Sequence, residues 1–522
     1  MLAVLLLAVA FLAGCAALPP HDAQPYAAAV PADPSTRLGR IVQASNPGDP
    51  ASSGLRLLHD GSGALAARLD LIRAAQRSID LQVYELRDDA SGRLVLRELR
   101  DATRRGVRVR VLLDDLHTQG LDPLLVGFAS YPGAELRLFN PFPTRGGLLS
   151  RFAAAALDID RIHRRMHNKL LVVDGALAIV GGRNIGDGYF QASDRENFFD
   201  LDAVVAGAVV PQLASLFDVY WNSRVAWPVA QVARLPGDAA ALRAHFDDCV
   251  ADDRVLRPPA PPAIDRLGWP PLGNDLARGL LTLSWGIVQA YADPPGKALG
   301  RGEARQLPTG AELANLRHVV GEEMQRAHRE IWVTSPYFLP GDRALPRMRT
   351  HIARGVSISI LTNSMASSDE PVVHGAYRRY RDNMLREGVK LFELSLPHST
   401  RLLMEGAPDV PLRLHTKSIV IDEQVAYIGS LNLDPRSDLH NTELGLLAYV
   451  PRLAQDMHRL ITLYKHEAAY ELRLVEGSRH RLEWWRLDED IGVETLDDEP
   501  HVDRWTRLKV DVLSWFVPED WL

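Results

Sequence analysis

Two stretches of this chain carry the same spacing of reactive side chains. Residues 161–184 read RIHRRMHNKLLVVDGALAIVGGRN: His167 stands two before Lys169, Asp174 follows after four residues, and Gly181-Gly182-Arg183-Asn184 after six more. Residues 412–432 read LRLHTKSIVIDEQVAYIGSLN and place His415, Lys417, Asp422 and Gly429-Ser430-Leu431-Asn432 at identical intervals. An imidazole, an ammonium and a carboxamide suit a phosphate: one imidazole nitrogen can attack phosphorus while the other histidine protonates the leaving oxygen. Two lysines and two asparagines then offset charge on the non-bridging oxygens in the transition state, and the chemistry requires no metal or cofactor. His163 and His167, four apart, have metal-ligand spacing, but Arg161, Arg164 and Arg165 around them argue for an anion. Arg436 and Ser437 are candidates for holding a headgroup, Arg413 either lines the phosphate entrance or is solvated, and His374 is either structural or functional.

Such a site needs strands to project it. Residues two apart in a strand point to one side, so each His and its Lys are expected to emerge together, ahead of the apolar runs Leu170–Val173 and Ser418–Ile421. Each Asp then falls at a turn before the next strand. A helix with Leu65, Leu69 and Ile72 on one face, the strand 78–84, a helix over 91–105 and the strand 107–113 make a βαβ unit. The same order returns over 331–361. Arg105-Gly106-Val107 and Arg354-Gly355-Val356 lie 249 positions apart, and the histidines 248, so the chain reads as an internal duplication.

Both copies match HxKxxxxD followed by G-[GS]-x-N, and in this the chain resembles the phospholipase D superfamily. The words LQVYELRDDASGRLVLREL, SPYFLPGD, LTNSMASSDEPVVHGAYRRYR and LDPRSDLHNTELGL are similar to the bacterial cardiolipin synthase C branch over about residues 55–520. The resemblance implies an α/β fold of two phospholipase D-like modules, mixed sheets flanked by helices, packed as a pseudo-dimer around one site. It also implies phosphatidyl transfer onto phosphatidylglycerol, with hydrolytic phospholipase D or nuclease action as the alternative. His167 is expected as nucleophile and His415 as acid and base, with Asn184, Asn432 and Ser430 contacting substrate. An acid downstream of each motif is expected to orient its histidine: Asp200, rather than Asp202, for His167 and Glu443 for His415. Asp174 and Asp422 belong to the catalytic signature, with a more structural than chemical part. Gly182 stands where the superfamily more often has Ser.

The expected organisation is a lipoprotein-type signal or anchor over 1–18, a tether over 19–55, a first module over 56–251, a linker or insertion over 252–312, a second module over 313–470 and a Trp-rich segment over 471–522. The uncharged start contains Leu12-Ala13-Gly14-Cys15, which resembles a lipidation signal acting on Cys15. This places the enzyme on the periplasmic side of a bacterial envelope, with phospholipids and the membrane as partners. The net charge of -7 and the lack of a basic-aromatic stripe count against nucleic acid. Trp484, Trp485, Trp505, Trp515 and Trp521 are half of the 10 tryptophans, placed either to pack on the body or to meet a lipid interface.

Overall fold

The structure is a computed structural model that describes residues 18, 20–21, 24–147, 150–151, 158–300, 302–400, 410–475, 481–488 and 492–522; the expected signal and Cys15 lie outside these. The first half runs α1 (Arg37–Ser45), β1 (Ser53–Leu58), α2 (Gly61–Ala74), β2 (Ser78–Val83), α3 (Ala90–Arg104), β3 (Arg108–Asp114) and β4 (Ala134–Phe139). It continues through β5 (Leu170–Val173), β6 (Leu177–Gly181), the short β7 (Asn197–Phe199), β8 (Asp202–Gly207) and α4 (Val209–Trp221). The second half repeats the plan with β9 (Ser284–Ala292), α5 (Leu316–Gln325), β10 (Glu330–Thr334), α6 (Ala344–Ala353), β11 (Ser357–Asn363), α7 (Pro371–Glu387) and β12 (Lys390–Leu394). Then come β13 (Leu412–Leu414), β14 (Ser418–Ile421), β15 (Val425–Gly429), α8 (Pro435–Leu439), β16 (Leu444–Tyr449) and α9 (Pro451–Ala468). The chain ends in β17 (Ala469–Leu474), β18 (Leu482–Asp488), β19 (Gly492–Leu496) and α10 (Arg504–Phe516).

Local chemistry sets these boundaries. Asp89 caps α3 by accepting from the Gly92 amide at 2.9 Å. The repeated Arg-Gly-Val ends α3 and α6 because Gly106 (φ 89°) and Gly355 (φ 85°) turn the chain through the left-handed region that a side chain resists.

Strands β2, β3 and β4 run parallel, as their helical crossovers demand, and so do β10, β11 and β12. The motif strands instead form antiparallel hairpins, β5–β6 and β14–β15, set against β2 and β10. β6 pairs with β8 and β8 with β1; β15 pairs with β16 and β16 with β9. β1 and β9 then pair with each other, Ser53 opposite Gly286, joining both halves in one sheet. The α/β class and the two packed, related modules are as the sequence implies.

Two expected connectors are structured. The stretch read as linker contains β9, the counterpart of β1, whose Val288, Ala290 and Ala292 are buried between the halves. The stretch read as tether carries α1, with Leu38 and Ile41 buried. Upstream of it, the Ala27 and Ala29 amides donate to Asn222 and Asp218 at 3.0 and 2.7 Å. A shared core fuses the halves: Val172, Val180, Val205 and Leu216 of the first meet Val420, Ile428, Leu446 and Met457 of the second. Each such side chain contributes roughly 1.5–3 kcal/mol on burial, so neither half keeps its apolar face covered alone.

Candidate active site

His167 and His415 sit in extended chain just before β5 and β14 rather than inside them, each pinned by backbone of the opposite half. Met166 and Thr442 form a parallel bridge, and the His167 amide donates to the Thr442 carbonyl at 2.9 Å. On the other side β13 pairs in parallel with β7, and the His415 amide donates to the Phe199 carbonyl at 2.8 Å. This register decides which acid meets which ring. Asp200 follows Phe199 and so reaches His415, Nδ1 to Oδ2 2.5 Å; Glu443 follows Thr442 and so reaches His167, Nδ1 to Oε2 3.0 Å. The expected pairing of acid and histidine within one half is therefore corrected, because the interlocking strand ends carry each acid across the axis. Asp202 serves neither ring; its carboxylate holds Arg68 and Arg183 at 2.9 and 3.1 Å.

The two histidines differ electrostatically. His167 Nδ1 also lies 3.0 Å from the Ser430 carbonyl oxygen, which can only accept, so Nδ1 carries the proton and Nε2 keeps its lone pair. Burial and the charges of Lys169, Lys417 and His415 hold His167 well below the usual histidine value. Burial pushes its partner Glu443 up to about 7. Burial and Lys417 also lower His415, yet Asp200 favours its charged form. Against its own burial, Asp200 is held below the usual carboxylate range by His415 and Lys417.

Lys169 Nζ donates to the His167 carbonyl at 2.6 Å and Lys417 Nζ to the His415 carbonyl at 2.5 Å. Burial and Lys417 hold Lys169 well below an ordinary lysine, and burial brings Lys417 down to about 8. Two buried ammoniums acting on each other stabilise an anion placed between them. We therefore expect kcat/KM for bis(p-nitrophenyl) phosphate to fall as pH rises through about 8, where Lys417 loses its proton. The substrate does not titrate there, and a rate flat from about pH 7 to 10 would remove the charge of Lys417 from the mechanism.

The asparagines are not equivalent. Asn184 is committed, donating to the Tyr189 hydroxyl at 3.0 Å and accepting from the Glu85 amide at 3.2 Å. Asn432 is buried with its Oδ1 unpartnered among the described residues, so its carboxamide is the freer of the two. Ser430 donates to Glu443 at 2.5 Å and accepts from the Leu444 amide at 3.0 Å, which makes it a holder of the acid. A β-carbon at Gly182 would run into the Asp200 carboxylate, which accounts for glycine there. Asp174 and Asp422, at φ 52° and 54°, accept the amides of Gln76, Arg77 and Ser78 and of His328, Arg329 and Glu330. They clamp the entries to β2 and β10 and touch neither imidazole.

The basic residues flanking the motifs separate in the same way. Arg165 is fully buried against Asp114 at 2.9 Å, Arg161 holds Asp158 at 2.6 Å, and Arg164 donates to the Leu439 carbonyl at 3.0 Å. Arg413 donates to the Ser368 carbonyl at 3.0 Å, and buried His374 lies 2.6 Å from Arg381. These five are structural. Arg436 makes no side-chain hydrogen bond with a described residue, and its charge acts on Tyr84, His163 and Glu370. The His163 ring lies 5.2 Å from that of Trp521, tilted by 35°, and shares no ligand geometry with His167.

Sequence reasoning missed the aromatic walls. Tyr84 meets His167 edge-on at 5.1 Å with Lys169 above its ring at 5.3 Å, and Tyr189 meets His415 at 5.3 Å. The signal for Tyr84 was its place just past the carboxyl end of β2, where sites on parallel sheets open.

The cardiolipin synthase, PLD-like domain family model matches residues 69–221 and 320–462, one motif in each match. Cardiolipin synthase C of Escherichia coli (strain K12) is 37% identical over 481 residues, covering 91% of this chain and 97% of that protein. Cardiolipin synthase A of Pseudomonas fluorescens (strain Pf-5) is 26% identical over 436 residues, covering 83% and 73%. The crystal structure of phosphatidylserine synthase from Haemophilus influenzae Rd KW20 matches with a TM-score of 0.52 at 14% identity, covering 88% of this chain and 91% of that one; that likeness speaks to the fold.

Proposed function

Because the chain belongs to the cardiolipin synthase family of phospholipase D-like proteins, we propose that it is a membrane-associated phosphatidyltransferase working through a phosphohistidine on His167. The observation that carries this assignment is the Ser430 carbonyl at His167 Nδ1, which leaves Nε2 unprotonated with its lone pair free to attack. Nε2 attacks the phosphorus of a phospholipid, and the bond from phosphorus to the headgroup oxygen breaks. His415, its charge supported by Asp200, gives that oxygen a proton and releases the headgroup alcohol. Neutral His415 then takes the proton of a hydroxyl on phosphatidylglycerol, whose oxygen displaces His167 from phosphorus to give cardiolipin. Water in place of that hydroxyl gives phosphatidic acid. Lys169, Lys417 and Asn432 offset charge on the equatorial oxygens throughout, where stabilisation counts most.

The C-terminal helix supports membrane association. α10 buries Val510 and Ser514 against α7, where Gly375 leaves room: a β-carbon there would lie 2.9 Å from both. Its outward face holds Trp505, Trp515 and Phe516, 72, 84 and 79% exposed. An outward face more apolar than the packed one suits the boundary between water and acyl chains. Among the described residues no helix is long and apolar enough to cross a membrane. In this reading the outward face of α10 and residues 1–18, as a signal that lipidates Cys15 on the periplasmic side or as an anchor, hold the enzyme at the membrane.

Incubation with phosphatidylglycerol vesicles, with and without phosphatidylethanolamine, and analysis of the lipids tests both parts. Cardiolipin is the expected product. Phosphatidic acid alone would make the enzyme a hydrolase, and cleavage of an oligonucleotide without any lipid product would overturn the reading. In the same vesicles Trp505→Ala/Trp515→Ala should cosediment about tenfold less than wild type; unchanged cosedimentation removes α10 from the interface.

A further inference from the structure

A second cavity, of about 450 Å3, opens in the second half between α5, α6 and the face of β10 and β11. That volume lies within the ordinary range of ~300–1,000 Å3 for small-ligand sites. Its floor is hydrocarbon: Met324, Ile331, Val333, Phe338 and Ile360 line it. Its rim is cationic. Arg317, Arg343 and Arg347 line it, and none makes a hydrogen bond or ion pair with a described residue. Asp434 and Asp438 lie near Arg317, as does Arg347. Asp434 is spent on the Ser437 amide at 2.7 Å, and Asp438 accepts from Asn315 at 3.2 Å. Asp342 is exposed at the lip.

The first half shows what this position looks like when it is filled. Counted from the shared Arg-Gly-Val, α6 is the counterpart of α3, and α3 buries ten residues, Leu94 and Leu99 among them. α6 buries His351 alone, and that ring's Nδ1 is unpartnered. Arg343 stands where Leu94 packs, and the turn that would begin α6 is replaced by Leu339-Pro340-Gly341. A duplicated fold that keeps one copy solid and opens the other, lining it with apolar floor and unpaired guanidiniums, has made room for an amphiphile. The cavity also adjoins the catalytic centre: Asn432 runs directly into Leu433 and Asp434 on its wall, and Leu433 accepts the Leu339 amide at 2.8 Å.

We propose that this cavity is a second lipid site, taking one hydrocarbon chain on its apolar floor and the anionic group at the end of that chain between Arg317, Arg343 and Arg347. A phospholipid and a free fatty acid share this chemistry. The site is independent of the histidines, and the proposal draws on the reading above only for phospholipids being within reach.

The test is photo-crosslinking of the full chain. The probe is phosphatidylglycerol with a diazirine in one acyl chain, carried in phosphatidylcholine vesicles, and labelled peptides are mapped by mass spectrometry. Label is expected in residues 316–325 and 344–353, falling at least about tenfold in Arg317→Gln/Arg347→Gln and in the cavity-filling Met348→Trp. Both variants should hydrolyse bis(p-nitrophenyl) phosphate within about twofold of wild type, which shows that they fold. Should one misfold, the other decides alone. Displacement of the probe by excess unlabelled phosphatidylglycerol and not by palmitate assigns a phospholipid; displacement by palmitate at lower concentration than phosphatidylglycerol assigns a fatty acid. Label confined to the α10 face or the histidine site, or unchanged in both variants, overturns the proposal. Pocket labelling in a protein that makes no cardiolipin would sink the transferase reading and leave this site standing.

Discussion

His167→Ala and His415→Ala should each lower turnover of phosphatidylglycerol by ~10^4-fold or more, about 5.5 kcal/mol of transition-state stabilisation, yet they should fail at different steps. With bis(p-nitrophenyl) phosphate, whose leaving group departs without an acid, His415→Ala still has the unprotonated Nε2 of His167 and should release a burst of one equivalent of nitrophenolate. It should then stall as a covalent adduct, because no base remains to activate water or alcohol. His167→Ala should give no burst and no adduct. The asymmetry rests on the surroundings of each ring: an acceptor-only carbonyl fixes the His167 tautomer, whereas an aspartate 2.5 Å from Nδ1 prepares His415 to carry a proton. Rapid-quench detection of the adduct decides the matter; a burst from His167→Ala with none from His415→Ala would exchange the two roles, and near-wild-type turnover in either would discard the two-histidine mechanism.

How much of this could be read from the chain depended on whether the pattern was local. The motif strands, the turn at each motif Asp and the duplication were visible because their residues are close in sequence or repeat at one offset. The α/β pseudo-dimer came from the phospholipase D resemblance that the repeated motifs carry. What could not be read was the exchange of acids, because Asp200 reaches His415 through a three-residue parallel pairing of β7 with β13, made between segments with no shared pattern. Arg165 was ambiguous for a related reason: Asp114, which neutralises it, ends a strand 51 positions away. Composition hides two elements inside the stretches read as tether and as linker or insertion. Pro and Ala around α1 hide the Leu38–Ile41–Val42 stripe, and Pro-Gly clusters on both sides of β9 suggested loop where the intervening nine residues form a central strand. The aromatic walls left no motif at all, since Tyr84 and Tyr189 are read as ordinary core until the histidines are placed beside them.

The exchanged acids also make unequal partners, and their neutral isosteres should separate them. Asp200 stays ionised in spite of burial because His415, Lys417 and Arg183 surround it. Replacing it by Asn removes the charge that supports the protonated ring and lets the amide present a donor to Nδ1, disfavouring the tautomer that acid–base work requires. Comparable histidine–carboxylate pairs lose roughly 10^2–10^4-fold in kcat this way, and that is the loss expected for Asp200→Asn, with KM little changed. Glu443 is pushed up to about 7 and so is part neutral under working conditions, while the Ser430 carbonyl holds the His167 tautomer without it. Glu443→Gln keeps an oxygen for the Ser430 hydroxyl and should cost ~10-fold or less. Steady-state kinetics on both variants, with melting curves to show that each remains folded, measure the difference. If Glu443→Gln proves the more damaging, the supported proton lies on His167 rather than His415, and the order of nucleophile and acid inverts.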